Sequence, residues 1–286
     1  MPIDEIPVRL IGPGSQPDSG KELRYIDMPN DMATFSAPLI PEPEAVSHLV
    51  GAREAMQWLG EALAAFAPGQ PPQLANLTGL DAENRELVNQ ILGEGEVSIV
   101  ASGDVPARCQ ESVLAGVWRT LYFDEAQRVI GDLLEVAMAP HVLAAPIGDG
   151  EPVDTSLPDE DAPGLNAVPI LVELQAHLEV YTGGGRQHSI NLSLLPLSDE
   201  DTGFLDSRLG RGPIEILSRG YGKCQITSTG TPNVWWVRYY NSMGTLILNS
   251  LEVVTLPEVV VAAEEDLRDS ATRLHEILAP YWRDEA

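Results

Sequence analysis

The chain has 286 residues, 44% of them hydrophobic and 21% charged, the balance of a folded protein with one large domain or two modest ones. Its 17 Lys and Arg stand against 43 Asp and Glu, a formal charge of −26. A surface this acidic repels phosphate backbones and anionic headgroups, so no nucleic acid and no membrane is expected as partner. Two cysteines are too few for a disulfide framework or a Cys-rich zinc site, and a reduced compartment is the default. The start, Met1-Pro2-Ile3-Asp4-Glu5, lacks the basic and apolar regions of a signal peptide, and no apolar run reaches 18 residues. The expected location is cytoplasmic.

Residues 1–45 are rich in Pro and Gly with little periodicity, which predicts an extended arm. Its apolar positions, among them Leu10, Tyr25 and Phe35, suit a segment lying along a groove. Residues 46–146 then read as an α+β unit. Leu49, Ala52, Met56, Leu59, Leu63 and Phe66 share one helical face. A second helix starts at the N-cap Asp81, presents Leu87, Ile91 and Leu92, and stops at Leu92-Gly93-Glu94-Gly95. From Val97-Ser98-Ile99 onward the period becomes strand-like. Four strands are expected, the others around Cys109, around Trp118 and ending in Leu134-Glu135-Val136.

Residues 147–163 hold three prolines and six acidic residues and read as a solvated linker. Residues 164–262 repeat the first unit. Leu209-Gly210-Arg211-Gly212, Val234-Trp235, Tyr239, Leu251-Glu252-Val253 and Pro257 all lie 117 positions beyond their counterparts. Arg108-Cys109-Gln110 answers Lys223-Cys224-Gln225 after a two-residue slip. Leu171, Leu174, Leu178 and Tyr181 form the long helix, and Ser198 caps the short one. Residues 263–286 add a helix striped by Leu267, Ala271, Leu274, Leu278 and Tyr281. The expected fold is α+β and internally duplicated, two helices plus an antiparallel four-strand meander per unit, related by a pseudo-twofold axis. The sheet edges left free must pair with each other, be covered by the arm, or bind something.

The run from Tyr221-Gly222-Lys223-Cys224-Gln225 through Asn233-Val234-Trp235-Trp236, Asn249-Ser250-Leu251-Glu252-Val253 and Glu264-Glu265-Asp266-Leu267 resembles the C-terminal domain of the HupH/HyaF hydrogenase expression proteins. Gly12-Pro13-Gly14-Ser15-Gln16-Pro17, Met28-Pro29 and Pro41-Glu42-Pro43-Glu44 are similar to the same family's N-terminal arm. The resemblance implies a cytoplasmic accessory protein for maturing [NiFe] uptake hydrogenases, linked to the iron–sulfur small subunit before export. It carries over no catalytic residue.

Cys109 and Cys224 follow basic residues at equivalent places. The common reading is a small buried residue on a strand. The alternative is a thiolate pair, brought together by the pseudo-twofold, that holds iron or works as a redox couple. The five histidines show no HxxxH or HxH spacing, and Glu173 with His177, one helical turn apart, reads as a surface ion pair, a metal role being the lesser alternative. The Leu-Gly-x-Gly turns follow a helix and precede a strand, so they are helix ends and not phosphate loops. Trp118 and Trp235 are assigned to the core. Trp236 faces the other way and, with Tyr240, is the candidate for partner contact. Glu135 and Glu252 lie opposite their apolar neighbours, on a solvated face or at a partner.

The combined expectation is a non-enzymatic maturation factor with no cofactor and no resident metal. Its partners would be the hydrogenase small-subunit precursor and other maturation factors. The acidic exterior suits a basic client segment such as an export signal with paired arginines. A thiol-dependent carrier using Cys109 and Cys224 is the alternative function, and a homodimer that stabilises an assembly is the third.

Overall fold

The computed structural model describes residues 41–144, 152–156, 166–183, 187–220 and 222–281. The arm expected over residues 1–45 lies outside these except for its last five residues. In chain order the elements are α1 (Pro43–Val46), α2 (Val50–Ala65), β1 (Gln73–Asn76), α3 (Ala82–Leu92), β2 (Val97–Ala101), β3 (Ala107–Glu111), β4 (Val117–Phe123) and β5 (Val129–Val136). They continue as α4 (Val168–Val180), β6 (His188–Asn191), α5 (Asp199–Leu209), β7 (Ile214–Ser218), β8 (Lys223–Ser228), β9 (Val234–Tyr240), β10 (Leu246–Val253) and α6 (Glu264–Leu278). Short 3-10 turns occupy 141–143, 192–194 and 258–260.

The protein is α+β. Its ten strands form one antiparallel sheet in the order β1-β5-β4-β3-β2-β7-β8-β9-β10-β6. Each half therefore contributes five strands, where four were expected. The additional ones, β1 and β6, are four residues long and pair with β5 and β10 at the two outer edges. Segments so short carry too little alternation to stand out in a sequence. At the centre the edges of the two meanders pair with each other, Val97 opposite Ser218 and Ile99 opposite Ile216.

Local chemistry fixes the short helices. Asp81 accepts the N–H of Asn84 at 2.8 Å, and Ser198 with Asp201 forms a reciprocal capping box. Both helices end at a glycine with positive φ, Gly93 at 57° and Gly210 at 64°. The second glycine of each turn admits a neighbouring strand. A Cβ on Gly95 would lie 2.2 Å from the carbonyl oxygen of Ser112, and one on Gly212 would lie 2.4 Å from that of Thr229.

Helices cover one face of the sheet. α2, α3 and α6 bury Met56, Leu59, Ile91 and Leu274 against Leu134 and Val136. α4 and α5 bury Leu171, Leu174 and Leu205 against Trp236 and Leu251. The opposite face carries a third cluster that runs across the central seam and includes Ile99, Cys109, Trp118, Ile216, Cys224 and Trp235. The turns at 141–143 and 258–260 close over it, inserting Leu143 and Val260.

One connection departs in part from the sequence expectation. Of the linker residues, Val153 is buried among the α4 cluster and donates its backbone N–H to Gln175 at 2.9 Å, while Asp154 pairs with Arg208. That piece is docked on the protein through Val153, while Pro152, Asp154 and Ser156 remain exposed. α6 crosses back from the second half to the first. Leu267 packs over Gly116, where a Cβ would sit 2.2 Å from the leucine's Cδ2. The Tyr281 hydroxyl donates to the carbonyl of Pro41 at 2.7 Å. Among the described residues, no helix is long and apolar enough to cross a membrane.

Candidate functional site

On β5, Leu134 and Val136 face the helices, so Glu135 points to the other side of the sheet. That side is closed by the turn at 141–143, and Glu135 is fully buried. A lone buried carboxylate is costly, and this one is satisfied at both oxygens. It accepts the backbone N–H of His141 at 2.6 Å and lies 2.7 Å from His141 Nδ1. His141 Nε2 is in turn 2.8 Å from the hydroxyl of Tyr122 on β4. The three side chains form a hydrogen-bonded relay at the lip of the closed face. In the neutral ring, with the Nδ1 proton directed at the carboxylate, Nε2 accepts from the phenol; in the imidazolium both nitrogens donate. The bond to Glu135 holds the His141 imidazolium above its ordinary range, against the opposing pull of burial. Burial raises the Tyr122 phenol, which keeps it protonated.

The expectation of a solvated face at Glu135 is thus corrected. Alternation gave the face, but not the Pro140-led turn that covers it. Neither His141 nor Tyr122 stood out in the sequence. The one available signal was a histidine just behind the proline that ends the strand. In the second half the corresponding positions hold Glu252, Glu258 and Tyr239. Glu252 is half-buried, accepts from Gln187 at 3.2 Å, and is shifted up, mainly by burial.

Both cysteines are buried and free. They sit on β3 and β8, which are separated by three inter-strand steps, roughly 14 Å at about 4.8 Å each. The thiols do not meet. Nor are they activated. Burial pushes Cys109 up to about 12 and Cys224 up to about 11. The preceding Arg108 and Lys223 point to the other face, where they lie against Phe123 and Tyr240. Adjacent strand residues alternate in direction, so a basic neighbour in sequence is no neighbour in space.

Trp118 and Trp235 are core residues whose indoles donate to the carbonyls of Ala137 and Val254, each at 3.1 Å. Trp236 does face the other side, but it is buried too, 4% exposed, because helices cover that face. The assignment of Trp236 to an exposed partner surface is therefore corrected. Arg238 lies over its ring at 4.6 Å. Tyr240 is half-buried, with the Lys223 ammonium 5.8 Å from its ring centre.

Glu173 and His177 do share one face of α4, and a third residue joins them. His188, at the start of β6, stacks on His177 with ring centres 3.4 Å apart and a 12° tilt. Its Nε2 lies 2.7 Å from a Glu173 oxygen. The ion pair read for His177 is made by His188, which was missed because β6 was missed.

The description "HupH hydrogenase expression protein, C-terminal conserved region" matches the chain twice, at residues 49–157 and 165–281. The hydrogenase expression/formation protein HoxQ of Cupriavidus necator is 44% identical over 276 residues, 96% of each chain. The HupH protein of Rhodobacter capsulatus is 42% identical over 93% of this chain and 94% of its own. The hydrogenase-1 operon protein HyaF of Escherichia coli K12 is 34% identical over 94% of both. A solved HupH structure from Thiobacillus denitrificans aligns with a TM-score of 0.39 at 30% identity, over 41% of this chain and 98% of that one.

Proposed function

Since this chain belongs to the HupH family of hydrogenase expression proteins and has a role in hydrogenase maturation, we propose that it acts there by binding, as a cytoplasmic docking platform for the iron–sulfur small-subunit precursor. The observation that carries this is the near-complete overlap with relatives named for hydrogenase expression and formation. Two surface features support binding as the mode of action. The charge of −26 attracts a basic client segment. Aliphatic side chains also stand exposed at the same end of both meanders, Val129 and Ile130 in the first half and Met243 and Ile247 in the second.

We also read the chain as an internal duplication with a pseudo-twofold axis through the Ile99–Ile216 pair. The central register supports this, since each pairing across the seam is matched by its counterpart 117 positions away. Left-handed residues recur at the same offset, Gly116 with Asn233 and Gln127 with Gly244. The equivalent tryptophan hydrogen bonds do so as well. A duplicated platform presents two similar surfaces to one client or to two maturation factors.

The test is a pull-down of the small-subunit precursor, with and without its export signal, at low and high salt. Binding that needs the signal and weakens with salt is the expected result. Replacing Ile130 and Ile247 with Asp should abolish capture while the fold persists. Salt-independent capture, or none, would overturn the reading. Sizing the same samples alone reports whether a homodimer forms.

A further inference from the structure

We propose that Glu173, His177 and His188 form a binding site for a borderline divalent transition-metal ion such as zinc. This site is independent of the docking reading. The three side chains come from two elements. Glu173 and His177 lie one turn apart on α4, and His188 opens β6 beside them. One donor atom from each lies within 4.8 Å of the others. A single ion would draw such donors to about 2 Å from itself, hence roughly 3.3 Å from one another, with the stacked rings turning their nitrogen lone pairs toward it.

The donor set selects the ion. Two imidazole nitrogens and one carboxylate suit zinc, nickel or cobalt, whereas magnesium and calcium prefer all-oxygen surroundings. The positions are also accessible. The Glu173 side chain is 48% exposed and that of His188 27%, so an ion has an entry path and would keep open coordination positions for water or a further ligand.

The fold does not require this arrangement. His188 stands opposite Val253 on β10, and the corresponding residue of β1, opposite Val136, is Gln73. The outer strand pairs equally well without a histidine.

The experiment uses the full chain stripped of metal with a chelator, titrated with zinc by calorimetry and with cobalt by visible absorption. One ion per chain is expected, with cobalt bands of a nitrogen-containing low-coordinate site and no competition from excess magnesium. His177→Ala and His188→Ala should each weaken zinc at least about tenfold, and Glu173→Gln by a similar factor. A His48→Ala/His275→Ala control should bind as wild type. Zinc should raise the unfolding temperature of the wild type and not of the site variants. His177→Gln and His188→Gln, which retain packing volume, replace the alanines if those fail to fold. The proposal is overturned if the wild type binds no zinc, if variants bind as tightly as wild type, or if cobalt bound to the wild type shows only oxygen ligands.

Discussion

Trp236 on β9 donates its indole N–H to the Asn249 side-chain oxygen on β10 at 2.5 Å. At the same places in the first half, 117 positions earlier, Arg119 makes two bonds to Asp132, at 2.9 and 2.7 Å. A charged fork and a neutral indole–amide pair thus serve the same cross-strand position under the helices. Asp132 is almost fully buried, and Arg85 approaches it from α3 at 3.6 Å. Asp132→Ala would strand Arg119 and should cost about 3–5 kcal/mol in denaturant unfolding. The double change Arg119→Trp with Asp132→Asn copies the second half and should cost less than the two single changes summed. Strict additivity would show that the pair is not an interchangeable unit.

Stability should fall as the solution is made alkaline from mildly acid pH. The folded state raises His141 through Glu135, and burial raises Glu111 to about 7. Each group then holds its proton more tightly folded than unfolded. Their contribution is complete below the unfolded values, near 4.5 for the carboxyl and 6.5 for the imidazole, and is lost as pH climbs through the folded ones. Glu111→Gln should raise the unfolding temperature at pH 8 and leave it nearly unchanged at pH 4. In a proton NMR titration, Glu135→Gln should bring the His141 midpoint down toward 6.5. An unchanged midpoint would mean that the carboxylate does not hold the imidazolium.

The thiols should be silent until the protein opens. With Cys109 near 12 and Cys224 near 11, an aromatic disulfide reagent should label neither in buffer and both in denaturant. Cys109→Ser/Cys224→Ser should leave hydrogenase maturation intact. Rapid labelling of the native protein, or arrested maturation by a stably folded double variant, would restore a thiol mechanism.

The parts of the fold legible in the sequence are those whose cause is local. Asp81 and Ser198 cap the helices they were expected to cap, and Gly93 and Gly210 end them. Strands β2 and β7 follow from alternation alone. What escaped depends on coverage, which alternation does not encode. Trp236 and Glu135 were assigned to their correct faces, yet each face proved closed, one by helices and the other by three-residue turns. His188 escaped because β6 is four residues long and is held in place by β10, not by its own pattern. The zinc-site candidate therefore had two of its three members in view.

The return of α6 onto the first half bears on the order of biosynthesis. A nascent chain exposes the groove beside α2 and Gly116 throughout synthesis of the second half, until α6 has emerged to seal it. Removing α6 would leave its sequence neighbours untouched and loosen the half made earlier. The later half thus supplies the latch of the earlier one.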